Sequence, residues 1–156
     1  MHEIYYECTV DQALIKEAAV LETVSAVIDL LGFKNKISLS LILCSDEEIK
    51  EVNHDTRNKD KATDVLSFPM QGEDEFITIT PQHIGDIMIS FDTLVRQASV
   101  LGHTNMDEFI RLLIHGMLHI KGYDHETEQE SILMQQEEDR ISLLLEEQGI
   151  AKENLI

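Results

Sequence analysis

Three histidines and a turn glycine constrain this chain more tightly than any other feature: His115-Gly116-Met117-Leu118-His119-Ile120-Lys121-Gly122-Tyr123-Asp124-His125. Histidines four apart on a helix lie about 40° apart around the axis and roughly 6 Å apart along it, so both rings can face one point. The third must return from beyond the helix. Gly122 supplies the means, because glycine takes positive φ, stops a helix and lets His125 fold back onto the same point. Three neutral imidazoles leave a tetrahedral zinc one open position, which a water can fill, and that is the arrangement of a catalytic site. His83 and His103 stand alone, and a lone histidine is more often a satisfied polar residue than a ligand.

The spacing H-x3-H-x5-H resembles that of metzincin peptidases, H-E-x-x-H-x-x-G-x-x-H. Gly116 stands where the glutamate that serves as general base would be. The chain therefore keeps the cage and lacks the residue that runs peptide hydrolysis. A glycine there also suits close approach by RNA or by another backbone.

Around the cage the chain reads as a mixture of elements. Ile4 to Cys8 is a strand, and Asp11 is expected to cap a helix reaching Leu31 with Gly32 as its stop. Ile37 to Cys44 alternates and predicts a strand with one buried face. Ser45-Asp46-Glu47-Glu48 is a capping box for a short helix to about Asn53, followed by a charged loop from Asp55 to Asp64. Val65 to Phe68 and Ile84 to Ile89 read as strands, with a polar stretch from Gln71 to Gln82 between them that has a possible hairpin through Phe76 to Ile79. Phe91 to Leu101 is a helix ended by Gly102. Thr104 and Asp107 cap the metal helix, and Thr127-Glu128-Gln129-Glu130 caps a last helix ending near Gly149. Phe109, Leu112, Leu113, Met117, Leu118 and Ile120 form an apolar stripe that belongs in the core. Helices and strands mix without strict alternation, which predicts an α+β fold with a small mixed sheet.

The 156 residues, 43% hydrophobic, suit one core and one domain, 1–156. No apolar run approaches the roughly 18 residues that cross a bilayer, and the start lacks a basic, then apolar, leader. A cytoplasmic protein without membrane contact is expected. Cys8 and Cys44 should pack as small hydrophobes. The net charge of −18 argues against nonspecific nucleic-acid binding, and no DNA partner is expected. Arg57, Lys59 and Lys61 nevertheless gather within five positions. On charge alone such a cluster is a solvated loop. Acidic residues crowd the segment after the cage, including Glu137, Glu138 and Asp139, and read as the solvated face of a helix that would repel RNA.

The cage segment resembles the YbeY family signature H-G-x-L-H-x-x-G-Y-D-H at every fixed position. Asn53-His54-Asp55-Thr56-Arg57-Asn58-Lys59-Asp60-Lys61-Ala62-Thr63-Asp64-Val65-Leu66-Ser67-Phe68-Pro69 is similar to its N-x-x-x-R-x-K-D-K-x-T-D-V-L-S-F-P segment, and Ile84-Gly85-Asp86-Ile87-Met88-Ile89-Ser90 to its L-G-D-I-x-I-S strand. One departure lies at Asp107-Glu108, where the family has Arg-Glu. The resemblance implies a four-stranded sheet with five or six helices and a zincin-like metal helix across it. It implies a metal-dependent single-strand endoribonuclease in ribosomal RNA processing, notably 3′-end maturation of the small-subunit RNA, and in ribosome quality control. Ribosomal RNA and the ribosome or its proteins would be the partners. His115, His119 and His125 would hold one Zn2+, or another divalent transition metal. Arg57 would be the catalytic phosphate clamp, acting on substrate rather than on the fold, and Lys59 and Lys61 would bind the RNA backbone. Asp64, Asp86 and Asp124 are candidates to orient a ligand imidazole, against the commoner roles of cap or turn. The alternatives are a zinc metallopeptidase-like hydrolase, which would need a carboxylate from elsewhere, and a non-catalytic zinc-stabilised ribosome-assembly factor.

Overall fold

Alternation along Ile37–Cys44 sends Ile37, Leu39, Leu41 and Leu43 to one side, and all four are buried. The opposite side is covered too: Ser38 and Cys44 are buried as well. This corrects the expectation of one buried face, and the sheet order gives the reason. The structure, a computed structural model, describes residues 2–11, 15–33, 35–70, 81–150 and 155–156. Its strands are β1 (Glu3–Cys8), β2 (Ile37–Cys44), β3 (Val65–Pro69) and β4 (Gln82–Ser90), and its helices are α1 (Glu17–Leu30), α2 (Asp46–Arg57), α3 (Phe91–Leu101), α4 (Asn105–Ile120) and α5 (Glu128–Glu147). The sheet runs β1-β2-β4-β3, with β2 parallel to both neighbours and β3 antiparallel to β4. The architecture is therefore α+β, a mixed four-stranded sheet with five helices among the described residues.

A parallel central strand needs cover on both faces. On one face Leu39, Leu41, Leu43, Ile87 and Ile89 meet Val24 and Ile28 of α1, Leu94 of α3, Phe109 and Leu113 of α4 and Ile141 of α5. On the other, Cys44, Leu66 and Met88 meet Ile49 of α2. Both cysteines are buried and lie outside any disulfide, and burial pushes the Cys44 thiol up to about 12, so it stays protonated and inert.

Local chemistry sets most boundaries. Ser45 and Glu48 complete a capping box on α2, and Thr104 and Asp107 complete one on α4. Thr127 accepts from the Glu130 N–H at the start of α5. Two boundaries differ from the sequence reading. Lys16, not Asp11, precedes the first helical residue of α1. α2 does not stop near Asn53 but continues to Arg57, ending on Asn58 in the left-handed region at φ 55°. Of the stretch read as polar from Gln71 to Gln82, 71–80, where the hairpin was expected, lies outside the described residues, and Gln82 already begins β4. Among the described residues no helix is long and apolar enough to cross a membrane.

Candidate metal centre

α4 lies across β3 and presents Phe109, Leu112, Leu113, Met117 and Leu118 to the core, while His115 and His119 fall on a half-buried face. At its end Gly122 takes φ 103°, its N–H donates to the His119 carbonyl at 3.0 Å, and the Tyr123 N–H donates to the Leu118 carbonyl at 2.9 Å. That pair of bonds closes a helix and reverses the chain. His125 returns as a result, and one ligand nitrogen from each of His115, His119 and His125 lies within 4.8 Å of the others.

Two of these rings have an acceptor on the far side that favours a proton on Nδ1. His115 Nδ1 is 2.8 Å from Glu138 Oε1, a carboxylate that only accepts, so Nδ1 carries the proton and Nε2 a lone pair. His119 Nδ1 is 3.0 Å from the Tyr123 carbonyl, with the same consequence. The two Nε2 atoms then face each other at 3.1 Å, lone pair to lone pair, with the exposed His125 completing the group. Two bare lone pairs at that distance repel unless a cation lies between or beside them, so the donor set fits a metal ion. Burial, then the neighbouring His115, pushes His119 below its ordinary value and outweighs the Tyr123 carbonyl, which favours the neutral ring a ligand needs.

Sequence reasoning missed Glu138. It lies in the acidic run of α5 read as a solvated face, and nothing in that run distinguishes one inward carboxylate from its neighbours. The three aspartates proposed for this role do other things. Asp64 accepts from the Val65 N–H and from Gln97, Asp86 pairs with His83 Nε2 at 2.9 Å, and Asp124 accepts from the His125 N–H. Asp64 and Asp124 fill cap or turn roles, whereas Asp86, within β4, is tied to a histidine outside the cage. His83 also bonds Ser38 Oγ, and His103 bonds Glu108, so both lone histidines are satisfied polar residues. Glu108 itself is fully buried, gripped by both arms of Arg111 at 2.6 and 2.7 Å and by Gln97 at 2.7 Å.

Arg57 ends α2, and its Nη2 donates to the Ser67 carbonyl at 2.9 Å while the guanidinium lies 5.5 Å from the centre of the Phe68 ring. Ser67 in turn donates its hydroxyl to the carbonyl of Gly116, next to His115. One residue of β3 thus joins the guanidinium to the cage helix. Lys59 and Lys61 follow on an exposed loop, which Asn53 pins by donating its amide to the Lys61 carbonyl at 3.0 Å. The close approach at Gly116 is made by β3 and β4: a Cβ there would stand 3.1 Å from Ser67 Oγ and 3.3 Å from both Ile87 Cδ1 and Val65 Cγ2.

β3 is an edge strand beside the cage, the place where a peptide could add as a further strand. Ser90 N–H donates to the Asp64 carbonyl and Met70 N–H to the Ile84 carbonyl, so Val65, Ser67 and Pro69 turn their backbone outward. The Val65 N–H is taken by the Asp64 carboxylate, the Ser67 carbonyl by Arg57, and Pro69 has no N–H. Three of the six outward positions are thus closed to a peptide, and the Val65 carbonyl, the Ser67 N–H and the Pro69 carbonyl are left facing outward.

Comparison with known proteins agrees with this architecture. Residues 5–146 match the family model described as Endoribonuclease YbeY. A protein of that description from Leptospira interrogans is 41% identical over 70% of this chain and 89% of its own. One from Bacillus velezensis is 39% identical over 78% of each chain. A Thermotoga maritima protein solved in solution superposes with a TM-score of 0.60 at 26% identity, over 97% of this chain and 96% of that one.

Proposed function

Since the chain belongs to the YbeY endoribonuclease family, we propose that it is a metal-dependent hydrolase that cuts single-stranded RNA, with His115, His119 and His125 holding one zinc ion. The observation that carries this reading is the pair of Nε2 lone pairs at 3.1 Å, each fixed by an acceptor on the far side of its ring. Bound there, the ion would supply a water whose pKa is lowered to about 7, and so a hydroxide near neutrality. The chain's own groups do the rest. Arg57 spends one N–H on Ser67 and keeps the others of its five for phosphoryl oxygens, already oriented by the Phe68 ring. Lys59 and Lys61 guide the backbone of the RNA to it. Gly116 supplies no general base, which favours the nuclease over the peptidase. In the cell the substrate is ribosomal RNA, at the 3′ end of the small-subunit RNA, and the partners are the ribosome and its proteins in the cytoplasm. Residues 1–156 act as one domain.

The test is purified protein of known metal content, incubated with single-stranded RNA and separately with casein, with and without chelator. RNA cleavage that chelation abolishes and added Zn2+ restores is expected, with casein intact and His115→Ala inactive. Chelator-sensitive casein cleavage would establish the peptidase instead. Biological function that survives His115→Ala in a folded protein would establish the assembly factor.

A further inference from the structure

An imidazole on a helix can rotate about two side-chain bonds and carry its proton on either nitrogen, so a three-ring cage is only as well formed as the acceptors behind its rings. His119 is held by a backbone carbonyl, beyond the reach of any side-chain change. His115 is held from another helix, by Glu138 of α5. We infer that Glu138 is a positioning residue for the cage: it locks His115 as the Nδ1–H tautomer, aims Nε2 at the ion and raises its strength as a donor. This inference rests on the reading of the cage as a metal site.

The surroundings of Glu138 suit the task. The carboxylate is 19% exposed and His115 31%, so the bond is partly sheltered from water that would compete for either partner. Arg111 lies one turn before His115 on α4, is locked to the buried Glu108, and feels the charge of Glu138. Glu138 therefore meets a fixed cation and a ligand imidazole on the same helix. Its neighbours Glu137 and Asp139 are engaged within α5, by Arg140 and by Gln135 respectively, which leaves Glu138 as the carboxylate of that trio directed at the cage. A groove of about 740 Å³ between α4 and α5 is lined by Arg111, Glu138 and Asp139 among others, so Glu138 borders open space on one side and is tied to His115 on the other. The contact is thus not simply two helices filling space.

The competing account is a helix-to-helix tie with no bearing on the metal. Full-length parent, Glu138→Ala, Glu138→Gln and His115→Ala proteins are compared by Zn2+ dissociation constants from chelator competition at neutral pH. Ring-nitrogen NMR of His115 is recorded in the metal-free state, together with thermal unfolding. The expected result is 10- to 100-fold weaker Zn2+ binding for Glu138→Ala. Glu138→Gln, which still accepts through Oε1 but has no charge, should fall between, and His115 should lose its single tautomer in the Ala variant. Affinity within twofold of the parent and an unchanged tautomer in both variants would overturn the inference, whatever the melting temperatures do. If Glu138→Ala does not fold, the same criteria applied to Glu138→Gln decide. A parent that binds no Zn2+, or His115→Ala that binds as tightly as the parent, would overturn the metal cage itself.

Discussion

Among the described residues Arg57 makes one hydrogen bond to the fold, and on the proposed reading the rest of its fork serves a substrate, so its removal should be felt twice and unequally. Losing the Ser67 bond and the Phe68 contact should cost about 1–2 kcal/mol of stability. Losing a guanidinium at the transferring phosphoryl should cost about 10²–10³-fold in RNA cleavage rate. Arg57→Lys should recover part of the rate, since charge remains and the fork does not. Urea unfolding and single-turnover cleavage on the two variants separate the effects. Parental cleavage by Arg57→Ala would make the residue structural only. The sequence reading gave Arg57 no part in the fold because it placed the residue in a loop. After Val52 no apolar residue marks a helical face, and His54-Asp55-Thr56-Arg57 carries no periodicity to read. The grouping of the three histidines was legible for the opposite reason, since helix pitch and a glycine turn place them through neighbours in sequence. Glu138 was not, because 23 residues separate it from His115 and only the packing of α5 on α4 brings them together.

At the scale of elements, Gly116 lets β3 and α4 touch, and this decides what the glycine means. Gly116→Ala should be tolerated, because its neighbours are side-chain atoms that need yield only a few tenths of an ångström and alanine favours the helix by about 1 kcal/mol. Gly116→Glu would bury a carboxylate among Val65, Ile87 and Ser67. It should destabilise by more than about 3 kcal/mol without creating peptide hydrolysis. Urea denaturation and casein cleavage check both, and a stable Gly116→Glu protein would mean that β3 and α4 part easily.

The α3–α4 junction carries the main electrostatic commitment. Burial pushes Glu108 up, but the Arg111 fork, then Gln97 and His103, bring it below its ordinary 4.5. A carboxyl lowered on folding contributes stability that is complete above the unfolded value and is lost as pH falls through the lower folded one. Unfolding of the parent and Glu108→Gln followed downward from pH 6 should therefore show their difference narrow below about pH 4.5. A gap that stays constant would show that the carboxylate contributes nothing through its charge.

The whole molecule presents the oddest combination, an RNA-cutting site on a chain of net charge −18. The fold class was legible from the lack of strict strand and helix alternation, but the order β1-β2-β4-β3 was not, because parallel pairing of β1 with β2 joins segments far apart in sequence. The same long-range packing places the acidic α5 beside the cage and the basic loop after α2. RNA must then be held by few cations against a repelling background. With Arg57, Lys59 and Lys61 as the phosphate contacts, single-strand counterion release at about 0.7 per contact gives a slope of log affinity against log salt of about −2. Screening of the acidic surface works in the opposite direction and can only make it shallower. Lys59→Ala with Lys61→Ala should remove about 1.4 of that slope while leaving metal content unchanged. Fluorescence anisotropy of a single-stranded oligoribonucleotide with metal-free protein, titrated across salt concentrations, measures it without cleavage. A slope of about −5 or steeper would require more basic contacts than this loop holds and would move the RNA to another face of the molecule.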